Sequence, residues 1–158
     1  MNLRARTKEA EKAQIMYTRL IKEFTAPNLW TICGPFQIDG NLGAMAGVVE
    51  MLLQSYQGYI ELLPALPKAW KKGEFKGLVA RGNFEIATRW ENNTFSSLEI
   101  LSNSGGNCSL KLPYTANVQI KDVADNIIPF IKESQDKINF DTKKATVYYI
   151  SLDSKSNE

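Results

Sequence analysis

The apolar residues of this chain change their period once, at Pro64-Ala65-Leu66-Pro67, and that change limits the fold more than any other feature. Before it the spacing is helical; after it the spacing is that of short strands. Ala13, Met16, Tyr17, Leu20, Ile21 and Phe24 recur at i, i+3, i+4, i+7, i+8 and i+11, one face of an amphipathic helix. Thr25-Ala26-Pro27-Asn28 ends it, because proline cannot continue the hydrogen-bond ladder. A second helical pattern runs through Leu42, Met45, Ala46, Val49, Leu52, Leu53 and Tyr56, with Gly58 as its expected stop. Its first turns hold Gly43, Ala44, Ala46 and Gly47, which lower helix propensity and let another backbone come close.

Past Pro67 the pattern predicts strands at 77–81, 84–90, 95–102, 108–112, 117–121, 137–140 and 145–152. Asn92-Asn93, Ser104-Gly105-Gly106-Asn107 and Pro113-Tyr114 separate them as turn chemistry. Phe84, Ile86, Thr88 and Trp90 alternate with Glu85, Ala87 and Arg89, the sign of a strand buried on one side. Short strands at this spacing predict a β-sandwich. The tail from Ser154 to Glu158 is polar, and disorder is expected there. The expected fold class is therefore α+β, helices first and an all-β sandwich after them. The helical part is a poor domain alone, since its apolar faces need partners. That predicts a piece of something larger.

Several function classes are excluded early. The net charge is +2 with both signs interspersed, so nothing favours nucleic acid. No apolar run approaches the ~18 residues of a membrane span. Met1 to Lys8 lacks an apolar signal core. Histidine is absent, which removes the commonest acid–base group and zinc ligand. Neither a metal nor a cofactor is expected. Cys33 and Cys108 have no metal spacing. A disulfide and two separate thiols are both compatible with their positions. Asn92-Asn93-Thr94 and Asn107-Cys108-Ser109 match the glycosylation pattern and are read as turns.

The connection from Thr25 to Asn41 is long for a compact region, and such connections often carry function. It ends in Pro35-Phe36-Gln37-Ile38-Asp39-Gly40-Asn41, directly before the small-residue helix, where Asp39 or Asn41 would serve as an N-cap.

This run, followed by Gly43 and by Ala46-Gly47-Val48-Val49-Glu50-Met51-Leu52-Leu53-Gln54-Ser55, resembles the end of the catalytic domain of glycoside hydrolase family 95, the α-L-fucosidases. A second block is similar to that family's entry into its C-terminal β domain. It comprises Leu62-Leu63-Pro64-Ala65-Leu66-Pro67-Lys68-Ala69-Trp70, Gly73, Lys76-Gly77-Leu78-Val79-Ala80-Arg81-Gly82, Phe84 and Glu85. The resemblance implies that residues 1–63 are the last helices of an (α/α)6 barrel and residues 67–153 a C-terminal β-sandwich. It implies inverting hydrolysis of terminal α-1,2-linked L-fucose from glycans. In that scheme a glutamic acid protonates the leaving oxygen, and asparagines polarised by an aspartate activate a water. The aspartate corresponds to Asp39. The glutamate and the asparagine pair belong to segments of the family that this chain does not match, so the chain alone is expected to be inactive.

Gln37 and Asn41 could contact sugar hydroxyls or equally satisfy backbone groups in the connection. Glu50 reads as a solvated or packing carboxylate. Trp70 and Trp90 read as core or junction residues, with Trp30 nearer the motif. Cys33, Gly34 and Leu42 depart from the family's usual histidine, proline and phenylalanine, which implies altered sugar contacts. The implied partners are a fucosylated oligosaccharide and the N-terminal remainder of a full-length enzyme, itself exported to the periplasm or beyond. Two other readings fit the residues: a non-catalytic carbohydrate-binding or structural sandwich module, and a truncated gene product.

Overall fold

The computed structural model describes residues 1–32, 34, 36–112 and 118–152. Cys33, the Pro113-Tyr114 turn and the tail lie outside them, so the Cys33–Cys108 question is not addressed by the fold. The chain divides into two compact units: Met1–Gln54 with Leu63–Ala69, and Ser55–Leu62 with Trp70–Glu158.

The first unit is helical. It contains α1 (Asn2–Arg6), α2 (Ala10–Glu23), α3 (Ile38–Leu52) and the short extended segment β1 (Leu53–Gln54). The charged N-terminus is helical in α1 and broken at Lys8, whose φ is 61°. Thr7 donates its hydroxyl to the Leu3 carbonyl at 3.1 Å and closes α1. Glu9 then joins the two helices, accepting from Arg4 at 2.5 Å and from Lys12. The helix α1 lies on α3: Arg6 forks onto Glu50 Oε1 at 3.1 and 2.7 Å, and Gln54 Nε2 donates to the Ala5 carbonyl at 3.0 Å. Gly47 permits this approach, since a Cβ there would collide with Met1 and Asn2. The segment 63–69 returns to the helices through Leu63 N–H to Leu52 O, Ala65 N–H to Met51 O and Lys68 N–H to Glu11 Oε1. The second helix starts earlier and stops earlier than its apolar pattern suggested. It is capped by Gln37 and Leu53, so Asp39 and Asn41 lie inside it and Gly58 does not end it.

The second unit is the sandwich, with β2 (Ile60–Leu62), β3 (Lys72–Ala80), β4 (Phe84–Glu91), β5 (Thr94–Ser102), β6 (Gly106–Lys111), β7 (Val118–Asp122), β8 (Ile131–Lys132), β9 (Lys137–Thr142) and β10 (Thr146–Leu152). One sheet runs β3-β4-β5-β10-β7 and is antiparallel throughout. In the other, β9 pairs antiparallel with β6 and β8, and β2 adds to β6 in parallel. Strict alternation in β4 buries Phe84, Ile86, Thr88 and Trp90. With Leu98, Ile100, Ile120, Ile150, Leu110 and Ile138 they form the core. Thr88 is tolerated there because its hydroxyl donates to the Ser97 carbonyl at 2.7 Å. Ser102 on β5 and Thr142 on β9 share a buried hydroxyl hydrogen bond of 2.7 Å that ties the sheets. Asn92 and Asn93 form a two-residue hairpin turn with φ of 50° and 61°. The Asn107-Cys108-Ser109 run is not a turn: it lies in β6, paired with β9, and Cys108 is buried. Burial pushes the Cys108 thiol up to about 12, which leaves it protonated and inert.

Candidate functional site

The connection between α2 and α3 folds back on itself in two steps. Thr25 bridges Thr31, and Ile32 bridges Phe36. Thr25 donates its hydroxyl to the Leu20 carbonyl at 2.9 Å, and Ala26 N–H reaches the Trp30 carbonyl at 2.8 Å. Asn28 Oδ1 accepts from Trp30 N–H at 3.2 Å, an Asx turn. Trp30 and Phe36 stack with centroids 4.6 Å apart, and Trp30 remains 54% exposed.

Thr31 holds this loop to the start of α3. It is 5% exposed, and its hydroxyl donates to the Gln37 carbonyl at 2.6 Å. Its backbone N–H donates to Asn41 Oδ1 at 3.1 Å, while Asn41 Nδ2 donates to the Leu29 carbonyl at 2.6 Å. Gly40 is required for the same reason: a Cβ there would come within 2.8 Å of Thr31 Oγ1 and 2.9 Å of its Cγ2. No periodic signal marks Thr31 in the sequence, and its place in the arrangement was not anticipated.

The residues of the run thus divide. Asn41 and Gly40 fix the loop, and Gln37 contributes its carbonyl. The Gln37 side chain is exposed and makes no hydrogen bond among the described residues. Asp39 stands in the first turn of α3, where the helix dipole favours a negative group. Its carboxylate is exposed, with no hydrogen bond or ion pair among the described residues. It borders a shallow cleft of about 360 Å³ with Gly40, Gly43 and Ala44 on α3, Met1 and Asn2 before and in α1, and Leu20 on α2. The first turn of α3 therefore presents Asp39 with its side chain uncommitted, one carboxylate ready to accept from a donor. Glu50 is instead committed to Arg6. Trp90 is buried and donates Nε1–H to the Trp70 carbonyl at 2.8 Å, which makes it a core residue. No cluster of three or more metal-ligating side chains occurs among the described residues.

Residues 54–150 match the profile of the glycoside hydrolase family 95 C-terminal domain, and residues 1–52 that of the glycosyl hydrolase family 95 catalytic domain. The chain is also similar to alpha-L-fucosidase 2 of Arabidopsis thaliana, 47% identical over 64 residues. That stretch is 40% of this chain and 8% of the relative, so the chain spans a small part of the protein it matches.

Proposed function

The chain belongs to glycoside hydrolase family 95, and from that premise we propose that it acts as the C-terminal portion of an α-L-fucosidase, removing terminal α-1,2-linked L-fucose from glycans with inversion. Asp39 polarises the asparagine that activates the attacking water. Gln37, whose side chain is exposed, contacts the sugar. Asn41 retains one N–H beyond its bond to Leu29 for the same purpose. The 158-residue polypeptide taken alone does not turn over, because one carboxylate cannot be both the acid and the polariser of the base.

One observation supports this reading above the others. The helical unit leaves Met16, Ile21, Leu42 and Met45 between 40% and 61% exposed, on the faces its sequence pattern makes apolar. Amphipathic helices gain their stability by burying such faces. Helices shaped this way fit a larger helical domain, where an acid and an amide base would be supplied.

The test is fucose release from 2′-fucosyllactose, by the isolated chain and by a chimera. The chimera is the Arabidopsis relative with the end of its catalytic domain replaced by residues 1–52 of this chain, the stretch that matches that domain's profile. No release by the chain and retained release by the chimera are expected. Turnover by the chain alone would overturn the inactivity, and a folded but inert chimera would overturn the function.

A further inference from the structure

The sandwich unit carries a second cleft, of about 380 Å³, whose lining includes Tyr56, Tyr59, Arg81, Asn107 and Ser109. Its volume falls within the range of small-molecule sites, about 300–1,000 Å³. No carboxylate lines it. Arg81 is held at its backbone by Ser55, whose Oγ accepts from Arg81 N–H at 3.1 Å. Its guanidinium makes one long hydrogen bond, Nη1 to the Tyr56 carbonyl at 3.4 Å. The rest of the fork has no partner among the described residues, and a guanidinium offers five donors suited to gripping a carboxylate with two at once. A second cation stands close by. The Lys137 ammonium lies 4.4 Å from the Tyr59 ring centroid and makes no salt bridge among the described residues.

The other lining groups suit a sugar ring. Tyrosine rings present flat apolar faces to sugar C–H groups. Asn107 donates one amide N–H to Asp141 at 3.2 Å, which leaves its carbonyl oxygen to accept from a hydroxyl. Ser109 adds a group that both donates and accepts. A simple anion would use only the cations and leave the tyrosines, Asn107 and Ser109 idle. A neutral sugar would leave the cation uncompensated.

We propose that this cleft binds a carboxylated sugar, a uronic acid residue of a glycan, with Arg81 on its carboxylate and the tyrosines against its ring. The site lies wholly within the sandwich unit, so it stands or falls independently of Asp39.

The probe is a trisaccharide of galacturonic acid, titrated into the ¹⁵N-labelled chain while the amides of Gly58, Gly82 and Asn107 are followed. The expected result is saturable shifts at these amides with a dissociation constant of about millimolar or below. The fully methyl-esterified trisaccharide is expected to bind about tenfold more weakly or worse, and Arg81→Gln to cost the acid a similar factor. Asn107→Ala, on an exposed side chain, is expected to weaken acid and ester alike. Absence of saturation, equal binding of acid and ester, or an Arg81→Gln protein that binds as before would each overturn the proposal. Identical shifts produced by acetate at the same concentration would also do so, because the cleft would then read charge and not sugar.

Discussion

Asn41 is within reach of two loop residues at once, and its amide geometry decides what a substitution does. Its oxygen accepts from Thr31 and its nitrogen donates to Leu29. Asn41→Ala removes both and leaves polar backbone groups in a half-buried place, at a cost of about 1–3 kcal/mol. The Thr31 amide is then expected to lose protection in hydrogen exchange, while Ile100 in the sandwich keeps its own; unchanged Thr31 protection would contradict this role. Glu9 makes a prediction of a different kind. Lys12, then Arg4 and Thr7, hydrogen-bond its carboxylate and hold its pKa down to about 2 from an ordinary 4.5. A depressed carboxylate stabilises the fold above its unfolded pKa and ceases to as pH falls through the folded one. The helical circular-dichroism signal is therefore expected to weaken as pH drops from 4.5 toward 2, and Glu9→Gln to flatten that limb. An acid limb identical in the variant would exclude Glu9 as its source. At this scale the candidate carboxylate was legible because it sits in a long recognisable run. Thr31 was not, since a threonine in an aperiodic loop carries no pattern that distinguishes a buried tie from a solvated turn.

Among the elements, strands were easier to locate than their ends. Alternation marked β4, and Asn-Asn marked the hairpin to β5, because a two-residue type I′ turn needs φ > 0 at both positions. Asn92→Val puts a β-branched residue at φ 50° and is expected to destabilise the sandwich by about 1–2 kcal/mol. Thermal melting of the sheet signal checks this, and an unshifted midpoint would contradict the turn assignment. The element β3 begins at Lys72, five residues before the strand pattern was recognised. A bulge between Phe75 and Leu78, with Gly77 at φ 82°, interrupts its alternation. The short β2 and β8 were missed, since two or three residues give no period. The small-residue stretch of α3 was read as a place of close approach. Gly47 meets that expectation through Met1 and Asn2, whereas nothing lies within 4 Å of a Cβ on Gly43.

Over the whole molecule, the helices lie before Pro64 and the long strands after it, while the short β1 and β2 precede it and residues 63–69 group with the helices; the α+β class with its sandwich was legible all the same. The family is legible too, because two long blocks stand in order along the chain. Chemistry is less so: a polarising aspartate and a surface aspartate have the same side chain, and the distinction lies in the groups around it. The exposed apolar residues of α2 and α3 are faces of the kind a larger helical domain would cover, as the proposed function requires. The most direct test uses the chimera on 2′-fucosyllactose, comparing it with its Asp39→Asn form after circular dichroism has shown both folded. The expected result is a fall in kcat of about 10²–10⁴-fold, the range of a group that serves proton transfer. An Asp39→Asn chimera that releases fucose as fast as its parent would contradict the account.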